Sequence, residues 1–200
     1  MAVSAPTKPA LQTAKDLERL SASGYRYELI KGELRPMSPS GGPHGDATSR
    51  VSFYINGFVY GEDRGLTFTA ETGFFIARNP DTVMAPDFAF VAEERLPETL
   101  PEGYVSIIPD LAVETRSPND TAREVADKVE DWLTAGVKIV WVIEPRKHTI
   151  TTHRRGRQPI VFSVGDTLDG EDILPGLSIP LSMIFPAKRK RQPGEQEQGK

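Results

Sequence analysis

Residues 110–144 constrain the fold more than any other part of the chain. The segment 110–116 reads as a strand, "SPNDTAREVADKVEDWLTAGV" as a helix, and "KIVWVIEP" as a second, nearly continuous apolar strand. Ser117-Pro118, Asn119-Asp120 and a Thr121-x-x-Glu124 capping box mark the helix start. Val125, Val129, Trp132 and Leu133 form its apolar stripe, and Gly136 stops it at the usual C′ position. Strands joined this way run parallel, with a right-handed crossover. The apolar run of the second strand fits the buried interior of a sheet.

The first strand of this unit carries a puzzle. In "PDLAVETRSPND" (109–120), Leu111 and Val113 point to one face and Glu114 and Arg116 to the other. Arg116 is the obvious ion-pair partner of Glu114, unless the polar face lines a site.

The flanks give further elements. "TAKDLERLSASG" predicts a short helix ending near Gly24, and "YRYELIKGELRPM" a β-hairpin turning at Lys31-Gly32. After the loop "SPSGGP", apolar residues at Ala47, Val51, Ile55, Phe58 and Val59 predict an amphipathic helix over 44–60. "LTFTAETGFFIA" and "DFAFVAEE" read as two strands separated by "RNPDTVMAP". "TITTHRR" and "PIVFSV" suggest a late hairpin, and "LPGLSIPLSMIF" closes the fold. The expected organisation is a loose N-terminus over 1–12, one domain over 13–186 and a disordered charged tail over 187–200.

The chain has no cysteine, which excludes disulfides, thiolate zinc sites and cysteine nucleophiles. Together with the absence of a secretory h-region, this favours the cytoplasm. No apolar run approaches the roughly 20 residues of a membrane span. A net charge of −4 rules out broad electrostatic binding of nucleic acid, so contact with DNA must be local.

Three ionisable groups stand out. Asp87 follows Pro86 at a strand start, Glu114 lies inside the next strand, and Lys128 edges the apolar stripe of the helix. Should the two strands be neighbours, the carboxylates approach each other and repel. A hard divalent cation removes that repulsion, and a nearby lysine can offset charge on a phosphate. Each residue also has an ordinary use: Asp87 as a turn cap, Glu114 as a partner of Arg116, Lys128 as a solvated surface group. Spacing alone does not choose between the two.

The ordered text does more. "YELIKGEL", "SGGPHG", "APDFAFV", "PDLAVETRSPND", "DKVEDWLTAGVKIVWVIEP" and "LPGLSIPL" run in sequence over roughly residues 25–186. This set resembles the Uma-two (Uma2) family of restriction-endonuclease-like proteins, within the PD-(D/E)XK nuclease superfamily. The resemblance implies an α/β mixed-sheet core of helix, three strands, helix and strand, preceded by a β-hairpin. It implies an endonuclease that hydrolyses DNA with Mg²⁺ or Mn²⁺, Asp87 and Glu114 holding the metal. The superfamily's usual lysine slot, two residues after the glutamate, here holds Arg116, which is always protonated and cannot act as a base. Family members often supply the lysine from the following helix, and Lys128 matches that place, with Arg116 an electrostatic helper or a partner of Glu114.

Glu28, Glu33 and Glu71 are candidates for a further metal or water ligand, and His44 for a phosphate contact at a helix start. Their ordinary readings are hairpin carboxylates and a capping histidine. His148 and His153 read as surface residues, and "KRKR" (188–191) as a solubilising tail or a non-specific DNA contact. A homodimer would provide the two centres that double-strand cutting needs. The alternative to catalysis is an inactive nucleic-acid-binding or regulatory module with the same fold.

Overall fold

The computed structural model describes residues 11–187. The "KRKR" segment therefore lies outside the described residues. Helix α1 (Ala14–Ala22) is held by a Thr13/Asp16 capping box. Strands β1 (Tyr27–Ile30) and β2 (Glu33–Pro36) form the expected hairpin. Its turn residues, Lys31 and Gly32, have φ of 51° and 79°, the double left-handed geometry of a two-residue hairpin turn. The long helix α2 (Gly42–Gly61) follows, its Ala47, Val51, Ile55 and Val59 buried as their spacing predicts.

Next come β3 (Gly65–Thr69), β4 (Phe74–Ala77), β5 (Thr82–Met84) and β6 (Phe88–Ala92). Here the structure corrects the sequence reading. "LTFTAETGFFIA" is not one strand, because a turn at Ala70–Thr72 splits it into β3 and β4, which join different sheets. Glu71 sits in that turn with φ 79°, a conformation costly for a side-chain-bearing residue in a strand. The supposed linker "RNPDTVMAP" supplies β5.

The predicted strand–helix–strand unit is present as β7 (Leu111–Thr115), α3 (Ala122–Ala135) and β8 (Ile139–Glu144), with β7 and β8 parallel. The Thr121/Glu124 capping box forms, and Gly136 caps the helix end at φ 109°. Strands β9 (Thr149–His153) and β10 (Ile160–Ser163) make the late hairpin. A small ribbon of β11 (Thr167–Gly170) and β12 (Leu174–Pro180) leads into α4 (Leu181–Ile184).

The central sheet has six strands in the order β10-β9-β8-β7-β6-β3, and β2-β1-β5-β4 form a second sheet. The core α2, β3, β6, β7, α3, β8 reproduces the expected helix–three strands–helix–strand order. Leu111, Val113, Phe88 and Phe90 pack toward α2, while Ala112, Ala89, Val140 and Val142 pack toward α3 with Trp132. Glu114, two residues from Ala112, shares the α3 side by strand alternation. No helix among the described residues is long and apolar enough to cross a membrane.

Gly65 begins β3 at φ 142°, where an added Cβ would stand 2.1 Å from the Val91 carbonyl oxygen. Gly65→Ala is therefore expected to cost about 2–4 kcal/mol, read as a lowered urea midpoint at unchanged slope.

Candidate active site at the end of the central sheet

Strands β6 and β7 are antiparallel neighbours, with Phe88 opposite Val113 and Ala89 opposite Ala112. Continuing that register by one step sets Asp87 beside Glu114. The Asp87 carboxylate is fixed rather than loose: Oδ2 accepts from the Thr115 backbone N–H at 2.7 Å and contacts His44 Nε2 at 3.2 Å. His44 arrives from the first turn of α2 and is buried. Burial works against its protonation, but the hydrogen bond and charge of Asp87 outweigh that and raise its pKa above the ordinary histidine value.

Glu114 is only 8% exposed. Its Oε1 accepts from the indole N–H of Trp132 at 2.8 Å, and its Oε2 lies 3.4 Å from Lys128 Nζ. Lys128 and Trp132 are four residues apart on α3, so one face of the helix presents both to the carboxylate. Lys128 Nζ also lies 3.1 Å from Glu28 Oε2. Glu28, 6% exposed, is brought in by the second sheet, where β1 pairs with β5, and accepts from the Ala85 N–H at 3.0 Å. An ion pair between Lys31 of the hairpin turn and Asp131 of α3, at 2.7 Å, fastens that hairpin against the helix.

The electrostatics follow from this crowding. Burial pushes the Glu114 pKa up to about 7; the positive charge of Lys128 opposes the rise, and the charges of Glu28 and Asp87 add to it. Burial alone would lower the pKa of Lys128, but Glu114 and Glu28 together drive it upward, so it stays protonated throughout the physiological range. Three carboxylates thus share one fixed lysine cation and one histidine.

The other carboxylate candidates fall outside. Glu33 is exposed and pairs with Arg35 at 3.3 Å, and Glu71 pairs with Arg26 at 2.7 Å in its turn. Arg116 is not the partner of Glu114. It lies one residue beyond β7, where strand alternation no longer governs its direction. Its guanidinium donates to Glu144 Oε1 and to the Asp120 carbonyl, tying the end of β7 to β8 and to the entry of α3. Partial burial disfavours ionised Glu144, but hydrogen bonds from Lys147 and Arg116 hold its carboxyl below the usual range.

Two polar roles were invisible in the sequence. Trp132 counted only as core, although its buried indole N–H needs an acceptor. Replacing it with Phe is expected to cost about 1–3 kcal/mol by leaving a Glu114 oxygen without its donor, and to raise the Glu114 pKa further. Denaturant titration and carboxyl-region NMR check both effects. Asp110, at the opposite end of β7, is 0% exposed. Its Oδ1 lies 2.8 Å from Arg95 and 2.7 Å from Lys138, and its Oδ2 accepts from the Ala92 N–H.

Among the described residues no group of three or more His, Asp or Glu side chains is arranged to hold a metal ion. The site offers hard carboxylate oxygens and no soft donor, a set that suits Mg²⁺ or Mn²⁺ bound by one or two carboxylates plus water.

Comparison with known proteins agrees with this architecture. A family model described as "Uma2: Putative restriction endonuclease" matches residues 14–182. A crystal structure described as a putative nuclease belonging to DUF820, from Anabaena variabilis ATCC 29413, superposes with a TM-score of 0.73 at 21% identity. The match covers 86% of this chain and 97% of that one. At that identity the likeness speaks for the fold. The comparison with curated proteins finds no match.

Proposed function

The chain belongs to the Uma2 family, and from that premise we propose that it is a divalent-metal-dependent endonuclease that hydrolyses phosphodiester bonds in DNA at the Asp87–Glu114–Lys128 cluster. One observation carries the reading. The Glu114 carboxyl is buried beside two other carboxylates and pushed up to about 7, so the site is short of positive charge. A protein that needed Glu114 only for structure would gain by pairing it more fully. Asp110, one residue before the same strand, instead has two cations against it, Arg95 at 2.8 Å and Lys138 at 2.7 Å.

Asp87 and Glu114 are the residues that would hold Mg²⁺ or Mn²⁺. When bound, such an ion polarises the scissile phosphate and makes its coordinated water a better nucleophile. The protein's own groups do the remaining work. The Thr115 N–H and His44 fix the Asp87 carboxylate, and the Trp132 N–H fixes that of Glu114. Lys128, kept protonated by Glu114 and Glu28, presents a permanent charge to the phosphate as negative charge builds on it. It therefore serves as an electrostatic stabiliser and not as a base. Arg116 acts at a distance, by holding the loop from β7 to α3.

The direct test is nicking of supercoiled plasmid. Wild type is expected to cut with Mg²⁺ or Mn²⁺ and to stop on chelation, and Asp87→Ala to lose at least about a hundredfold in rate at a temperature where it is still folded, since loss of the Thr115 and His44 contacts also lowers its melting temperature. Metal-independent cutting, or cutting that Asp87→Ala retains, would overturn the assignment.

A further inference from the structure

Positive charge in this acidic chain is concentrated in one place. Residues 138–165 hold six cations, Lys138, Arg146, Lys147, Arg154, Arg155 and Arg157, against a single acid, Glu144, in a chain of net charge −4. The fold sorts five of them into the two turns that flank β9. Glu114 lies opposite Val142 and Thr115 opposite Ile143, so the β8–β9 turn, with Arg146 and Lys147, stands at the catalytic end of the central sheet. The β9–β10 turn, with Arg154, Arg155 and Arg157, stands at the other end.

Part of this charge is unpaired. Arg154 is held by Glu171 and Asp172, Arg157 reaches Glu171 only at 3.7 Å, and Lys147 shares Glu144 with Arg116. The exposed side chains of Arg146 and Arg155 make no ion pair or hydrogen bond among the described residues. Between the two turns lies an open sheet face. Thr151 pairs with Val142 and Thr149 with Glu144, which sets both threonines on the α3 side of the sheet. Val161 and Ser163 of β10 stand beside them and are exposed, so α3 leaves this part of the sheet uncovered. The Thr149 and Thr151 hydroxyls have no hydrogen-bond partner among the described residues, while Ser163 donates to Asp166. None of these four positions holds an acid. Where the face meets α3, a cleft of about 460 Å³ is lined by Arg154, Arg155 and Arg157, with Glu130 as its one acid.

We propose that this face seats the phosphate backbone of duplex DNA, gripped by Arg146 at the catalytic end and by Arg155 and Arg157 at the far end. The proposal rests on the nuclease reading of the neighbouring cluster and adds where the substrate is held. Strand β9 has five residues, about 17 Å at roughly 3.4 Å per residue. The two turns can therefore reach phosphates about five steps apart on one strand of a duplex. Arginines and threonine hydroxyls are ordinary phosphate partners, and such contacts fix the position of a duplex without reading its sequence. The catalytic cluster cannot supply this attraction, since it sets the carboxylates of Asp87, Glu114 and Glu28 against one lysine and one histidine. In a chain of net charge −4 the pull on DNA has to come from a local patch.

The test uses the full-length protein in EDTA, so that binding is read without cleavage and whatever residues 188–191 contribute is common to every variant. A short labelled duplex is titrated by fluorescence anisotropy across salt concentrations from about 50 to 200 mM. Arg146→Gln and Arg155→Gln are each expected to weaken binding at the low-salt end about threefold and to flatten the salt slope by about one, equally for unrelated sequences. Lys15→Gln, which removes the same charge from an exposed position on α1, should bind like wild type. Neither arginine touches the catalytic cluster, so Mn²⁺ should raise the melting temperature of both variants as much as that of wild type. Either arginine variant binding with the wild-type slope would overturn the proposal. So would Lys15→Gln matching them, which would make the effect one of net charge alone. Binding that the two variants weaken as expected, in a protein that never cuts with any divalent metal, would overturn the catalytic reading while supporting this one. Metal-dependent cutting by wild type with undiminished binding in the variants would do the reverse.

Discussion

Glu114→Gln is expected to cost more than about a hundredfold in metal-dependent cleavage and, in the same protein, to raise the stability of the metal-free fold above pH 7. The first effect follows from loss of a ligand, since even the outer hydrogen-bond partners of ligands are worth about 10–100-fold. The second follows from proton linkage. Glu114 titrates near 7 in the folded protein against an ordinary value of 4.5. Between those values the native state holds a proton that the unfolded chain has released, so wild-type stability falls as pH rises through that window. Glutamine has no charge to bury and still accepts from Trp132. The variant should therefore match wild type near pH 4.5 and exceed it by about 2–3 kcal/mol at pH 8, several degrees in melting temperature for a chain of this size. Adding Mn²⁺ at pH 8 should stabilise wild type and leave Glu114→Gln unmoved, because only the former binds the ion in its native state. Thermal melts at three pH values, with EDTA and with Mn²⁺, check all of this. A variant less stable than wild type at pH 8 in EDTA would show that the Lys128 pairing outweighs the burial of Glu114.

Lys128→Met should act in the opposite direction. It removes the one lysine ammonium lying against both Glu28 and Glu114. Breaking a fully buried pair costs about 3–5 kcal/mol. The Lys128 side chain is 37% exposed, so solvent screening brings the expected loss down to about 2–3 kcal/mol at pH 8. The loss should shrink toward pH 5 as Glu114 takes up a proton. Cleavage should fall with it, while Lys128→Arg should keep most of the stability. Urea unfolding at pH 5 and pH 8, beside the plasmid assay, separates charge from shape. A loss independent of pH would mean that the methylene packing of Lys128 matters and its charge does not.

The contrast between Asp87–Glu114 and Arg116 shows where local sequence rules end. The segment 110–144 was legible because its signals are short-range: apolar alternation, a capping box, a C′ glycine. Once the neighbouring strand is known to be β6, the approach of Asp87 to Glu114 is simple register arithmetic. The same alternation rule misassigned Arg116, because it holds only inside a strand and β7 stops at Thr115. Glu71 was misplaced for a related reason: Ala70 to Thr72 forms a turn where the apolar pattern on either side suggested one continuous strand. Glu28 could be named as a candidate but not placed, since its arrival depends on pairing between β1 and β5, more than fifty residues apart. Trp132 hid in plain view, because a stripe analysis counts an indole as apolar and ignores its N–H.

The two acids at the ends of β7 carry a consequence for descent. Asp110 is buried against two cations, Arg95 and Lys138, that favour its charge, whereas Glu114 burdens the metal-free fold. A copy of this gene released from selection for cutting should drift first at Glu114 and hold Asp110. Among descendants, an aspartate at 110 beside a neutral residue at 114 would be the fossil of a nuclease that kept its shape after losing its trade.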